Sequence, residues 1–329
     1  MTAEPTFQKI ISSNNFVTHR KPLILKLQEL LEAKVIIYTA SSTHPFPLIM
    51  SQDIPPFEDL LRSCGDATDG YLIINSPGGD GNVAEKIITM CRARFTKSFK
   101  VIVPNFAKSA ATMIALGSDE ILMGYLAELG PIDPQLGDPT LGGLMPARSF
   151  IDGLEMIRKN IKEKNDPVQM YFPMLSHIRP EIIAQCQSAI DGSREFAEKW
   201  LKEYMLKDNP QQAKEVACAL SEGIKYKSHG KVIDFEEARN ELKLNVTKIP
   251  PNSELWDKVW ELYCRSIAFL QQKENAAKLF ESEVVSLTMG LQIAFARMQQ
   301  PPGPQRESIL PVQKPLPQPT TQKQPADNP

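Results

Sequence analysis

Three short apolar runs, YLIIN (71–75), KVIVPN (100–105) and EILMG (120–124), alternate with helix-forming stretches, and this alternation leaves few folds open. Each run is apolar at successive positions, as expected of a strand covered on both faces of a sheet. Between them, VAEKIITMCRAR reads as a helix opened by a capping box of Asn82 and Glu85, and SAATMIALG (109–117) as a helix stopped by Gly117. A largely parallel sheet with right-handed helical crossovers follows. Upstream, 21–33 has leucines at helical spacing, VIIYTA (35–40) adds a strand, 41–56 is a Ser/Thr/Pro-rich loop, and FEDLLRSC (57–64) is a short helix.

Beyond Asp133 the pattern changes. GDPTLGGLMP (137–146) reads as a loop and 149–164 as a helix with a charged outer face. Three helical stretches over 168–222 are divided by Pro180, Gly192 and Pro210, and 228–246 reads as a loop, a short strand, a helix and a final strand. Residues 254–272 and 275–298 are predicted to be long amphipathic helices, with apolar stripes broad enough for part of them to face a partner subunit rather than the chain's own core. From Pro301 the chain is mostly Pro, Gln, Lys and Thr, the composition of a disordered tail, within which KPLPQP has the form taken by SH3-like grooves.

The formal charge of -2, with no Lys/Arg block, gives no basis for nucleic-acid binding. Five widely spaced cysteines without a CxxC predict reduced, mostly buried thiols rather than disulfides or a zinc site. No signal-peptide pattern opens the sequence and no long apolar run spans a bilayer, so a soluble cytoplasmic protein is expected.

The chemistry concentrates in two strand-to-helix turns. Gly78-Gly79, in SPGGDG, lets the backbone turn sharply and bring its N–H groups against a ligand with no Cβ in the way, and Asp80 reads as the start of the next helix. Ser109 sits where the next strand leads into a helix, flanked by the small residues Ala107, Ala110, Ala111 and Thr112. On its own it would be a helix cap. Placed beside a glycine turn at the same sheet edge, its hydroxyl and the N–H groups of both turns can meet one carbonyl. The glycine turn lacks the Gly-Lys-Ser/Thr ending of a phosphate loop, and no metal or cofactor is implied.

INSPGG followed by AKSAATMIALGSDEI resembles the Clp-type serine peptidase clan, which includes the Clp proteolytic subunit and signal peptide peptidase A. SPGGDG, FAKSAATMIALGSDEILM, ELGPIDPQ and the later SHG bring it closer to the serine dehydrogenase proteinase family. The resemblance implies an α/β fold, the ClpP/crotonase-like ββα superhelix. It covers a peptidase domain (21–250); composition and periodicity place outside it a poorly ordered start (1–20), a C-terminal helical extension (251–299) and a disordered Pro/Gln-rich tail (300–329). It also implies hydrolysis of a polypeptide through an acyl-enzyme on Ser109, with an oxyanion hole from the N–H groups of Gly79 and Ala110, and assembly into a homo-oligomer. The order Ser, Asp, His implies Asp133 as orienting carboxylate and His229 as base.

A lysine base, as in signal peptide peptidase A, is the alternative, with Lys162 foremost among Lys159, Lys162 and Lys164. Lys108 projects away from its neighbour Ser109 and is expected to act on local electrostatics. Two further readings stand beside the peptidase. A crotonase-type acyl-CoA enzyme would share the oxyanion hole without needing a serine at 109. A silent scaffold would use its Pro-rich tail to recruit a partner.

Overall fold

The computed structural model describes residues 19–41, 43–45, 47–137, 143–176, 179–273 and 275–290, together with Thr6, Phe7 and Ile10. The expectations for the first eighteen residues otherwise, for His177 and for the Pro-rich tail lie outside these residues. Among the described residues the helices are α1 (Arg20–Leu31), α2 (Ile54–Ser63), α3 (Gly81–Arg94), α4 (Ala110–Leu116), α5 (Ala147–Glu163), α6 (Phe172–Leu175), α7 (Pro180–Glu203), α8 (Pro210–Ser221) and α9 (Glu254–Gln272). The long strands are β1 (Lys34–Ala40), β2 (Asp69–Asn75) and β3 (Ser98–Val103). Shorter ones follow: β4 (Phe106–Ala107), β5 (Glu120–Met123), β6 (Glu128–Leu129), β7 (Gln135–Gly137), β8 (Leu144–Pro146), β9 (Val246–Lys248), β10 (Lys278–Glu281) and β11 (Ser286–Met289).

The main sheet runs β11-β10-β1-β2-β3-β5-β9, with β1, β2, β3, β5 and β9 parallel as the alternation predicts. Side chains alternate between its faces. Val35, Ile37, Ile73, Ile102 and Leu122 pack under α1 and α9 with Leu23, Leu27, Trp256 and Val259. Ile36, Tyr38, Leu72, Ile74, Val101 and Val103 pack on the other face with α2, α3 and α4. Both faces are covered, so these strands read as unbroken apolar runs.

Beyond β2, β3 and β5 the chain leaves the main sheet for a second layer of short pairings, at Ser76, β4 and β6. Ser76 bridges Ala107 in parallel, β4 pairs β6 in parallel, and Leu129 bridges Ile233 antiparallel. β2, the Ser76 bridge and α3, then β3, β4 and α4, repeat the ββα unit. The fold is the ClpP/crotonase-like α/β superhelix that the resemblance implied.

Several expectations fail, each for a local reason. The helix predicted over 275–298 is instead the antiparallel pair β10–β11 where it is described, with β10 added to the free edge of β1 through Ile37–Glu281 to Ala40–Lys278. Trp256, Val259 and Leu262 of α9 pack against α1 and the sheet, so that part of its apolar stripe is core. Gly192 does not divide two helices but lies inside α7, and the Asn82 capping box is absent: Asp80, expected as a cap or helix start, caps α3 by accepting from the Asn82 N–H at 2.8 Å. The stretch read as a loop over 137–146 contributes to the β7–β8 pair. All five cysteines are free thiols, four of them buried.

Candidate active site

Ser109 lies two residues beyond β4 and immediately precedes α4, with φ 50° and ψ -120°, a sparsely populated conformation for a residue with a Cβ. Its side chain makes no capping hydrogen bond. Such a sharp strand-to-helix turn lifts a hydroxyl out of the packed interior.

The glycine turn is zipped onto this serine turn. Ser76 N–H donates to Phe106 O (3.1 Å) and Lys108 N–H to Ser76 O (3.0 Å). Gly78 (φ 103°) approaches so closely that a Cβ would lie 2.6 Å from Lys108 O and 2.7 Å from Ser109 Cβ. On its other side, the Ile49 N–H donates to Gly78 O (2.8 Å) and Asp80 N–H donates to Ile49 O (2.9 Å). These bonds occupy the groups on either side of Gly79, so by the alternation of extended backbone the Gly79 N–H faces away from Ile49. At Gly79 (φ 148°) a Cβ would meet Ile49 N and O at 2.4 Å. Gly79→Ala is therefore expected to destabilise the fold by about 3 kcal/mol, read from the urea midpoint. An unchanged midpoint would show that the Ile49 backbone is not held there.

Asp133 and His229, 96 positions apart, meet through a 2.8 Å hydrogen bond between His229 Nδ1 and Asp133 Oδ1. The Asp133 side chain is 4% exposed and that of His229 28%. Gln135 Nε2 donates to the other carboxylate oxygen at 2.9 Å. The only trace of this role in the sequence is the two-residue spacing of Gln135 from Asp133 within ELGPIDPQ. The backbone around Asp133 is pinned on both sides: Ile132 N–H donates to Leu220 O (2.9 Å) and Ser193 Oγ to Ile132 O (2.6 Å).

Ser109, Gly79, Asp133 and His229 all line one cleft of about 1110 Å³. Its apolar wall includes Ile49, Met113, Ile132 and Phe196, and its charged lining residues are acidic, Asp80, Glu85 and Asp133. Ala110 is fully buried directly behind Ser109. Lys162 is exposed on the last turn of α5 and does not line the cleft, and neither do His19 and His44. Among the described residues, no group of three or more His, Cys, Asp and Glu gathers as a metal site would require.

A family described as ClpP-like SDH-type serine proteinase matches residues 11–276. An uncharacterized protein of Methanocaldococcus jannaschii is 35% identical over 197 residues, covering 59% of this chain and 60% of that protein. A second uncharacterized protein of that organism is 30% identical over 180 residues, covering 54% and 53%. The chain thus spans between half and two thirds of the length of these two relatives. Among solved structures, a membrane-bound stomatin-specific protease superposes with a TM-score of 0.40 at 17% identity, covering 69% of this chain and 85% of that one. ClpP1 from Listeria monocytogenes gives 0.36 at 15%, covering 69% and 98%. No helix among the described residues is long and apolar enough to cross a membrane. With the family match covering most of its length, the chain belongs to the ClpP-like SDH-type serine proteinases.

Proposed function

We propose that this chain is a serine peptidase whose nucleophile is Ser109, with His229 as base and Asp133 as the carboxylate that orients it. The observation that carries this reading is the buried Asp133 bound to His229 Nδ1, both lining a cleft that Ser109 also lines. With Nδ1 held by the carboxylate, Nε2 is the nitrogen left to take the Ser109 proton as Oγ attacks the scissile carbonyl. The N–H groups of Gly79 and Ala110 receive the oxyanion. His229 then returns the proton to the leaving amine, and water, deprotonated by the same imidazole, hydrolyses the acyl-enzyme.

A cleft with an apolar wall and no Lys or Arg among its lining residues suits a polypeptide better than the polyanionic phosphates of coenzyme A. Lys162, exposed and outside the cleft, gives no support to a lysine base. Assembly into a homo-oligomer belongs to the same proposal. Exposed Met156, Met170, Phe172 and Met174 on and around α5 and α6 offer apolar surface for it, and light scattering showing a monomer at micromolar concentration would count against it.

A fluorophosphonate probe tests the nucleophile. Labelling of the wild type that vanishes in Ser109→Ala is the expected result. A folded wild-type protein that takes up no label would favour the scaffold reading instead.

A further inference from the structure

Lys108 is the residue before Ser109, and its ammonium is part-buried, with the side chain 16% exposed. An ammonium has three donors, and here three acceptors surround it: Leu129 O at 2.9 Å, Lys231 O at 3.2 Å and Glu128 Oε1 at 3.1 Å. Two of these belong to the segment that runs on to Asp133, and the third lies two residues beyond His229. The same two segments are paired directly, Leu129 N–H to Ile233 O (2.9 Å) and Ile233 N–H to Leu129 O (3.1 Å). The backbone of Lys108 meanwhile holds the glycine turn through Ser76 O. The path of the lysine stem is cut into the neighbouring backbone, because a Cβ on Gly130 would lie 2.7 Å from Lys108 Cδ.

We propose that Lys108 is a positioning residue that fixes the Asp133 and His229 segments in register against Ser109, a role that rests on the catalytic reading above. It touches neither substrate nor reacting atoms. One side chain adjacent to the nucleophile sets where the base and its orienting carboxylate sit, in segments that are otherwise far apart in the chain.

Lys108→Met keeps the stem and removes the donors. In the full-length protein the maximal rate of fluorophosphonate inactivation is expected to fall about 100-fold, while the half-saturating probe concentration stays within about twofold. The downfield Nδ1 proton resonance of His229, identified as the one that His229→Ala removes, should broaden or disappear. A purely structural lysine would not separate rate from probe binding in this way. Folded Lys108→Met that inactivates within about threefold of wild type, with the resonance intact, would overturn the proposal.

Should Lys108→Met fail to fold, Gly130→Ala presses on the stem from the opposite side, at a position whose backbone is outside the left-handed region. It is expected to produce the same split, and a wild-type rate there would equally refute the role. If the wild type proves inert to the probe, the catalytic reading fails by itself. The resonance still decides the positioning claim: its loss in Lys108→Met supports it and its persistence refutes it.

Discussion

Asp133→Asn is expected to lower the rate of Ser109 acylation about 10⁴-fold while leaving the fold intact. The replacement is isosteric, and Gln135 and the backbone pins at Ile132 remain to hold the segment. What changes is the tautomer. An amide can turn its NH₂ toward His229 Nδ1, which makes Nδ1 the acceptor and puts the ring proton on Nε2, where it blocks proton abstraction from Ser109. Probe inactivation kinetics measure the drop, and a thermal melt confirms the fold. His229→Ala should reach a similar floor, and the double variant should fall no further, because the two residues act as one unit. A loss under about tenfold for Asp133→Asn would remove it from the mechanism.

The second large effect is on stability. Asp53 is fully buried and accepts from Lys278 Nζ at 2.7 and 2.9 Å, from Tyr38 Oη at 3.2 Å and from Met50 N at 3.1 Å. Burial first, and the Asp53 carboxylate second, push the Tyr38 phenol well above its ordinary pKa, so it stays a donor. Lys278→Met leaves that carboxylate buried without its cation and is expected to cost 3–5 kcal/mol, on the order of 10 °C in Tm. Asp53→Asn combined with Lys278→Met should recover most of the loss, since no charge is then stranded. Equal melting temperatures for Lys278→Met and wild type would mean that Asp53 finds another partner. The pair also reaches the cleft: Asp53 holds Met50, whose neighbour Ile49 frames Gly79.

The sequence revealed those parts of the molecule that are written locally. A glycine pair after a strand and a serine between a strand and a helix are signatures a few residues long, and the structure sets Gly78 and Ser109 against each other. The pairing of Asp133 with His229 is a tertiary event across 96 positions, for which the family order of residues, not the spacing, was the guide. Residues 278–289 went wrong for the opposite reason. LFESEVVSLTM satisfies helical and strand patterns alike, and the unfilled edge of β1 decides between them. Gly192 was read as a breaker from its type alone. In α7 it costs about 1 kcal/mol relative to alanine, which a long helix packed along α8 absorbs, and it lines the cleft wall.

The addition of β10 to β1 also has a consequence for how the chain is made. Arg20 at the start of α1 and Glu281 on β10 are 261 positions apart, yet they form a buried ion pair, with Arg20 Nε to Glu281 Oε2 at 2.7 Å. During synthesis β1 therefore emerges early and waits for its second neighbour, for roughly 10–50 s at ordinary elongation rates. Through that interval the edge of KVIIYTA stays open to pairing with other nascent chains. Ribosome-bound intermediates ending before Lys278 should thus depend on chaperones for solubility, and release of β10 should end that dependence.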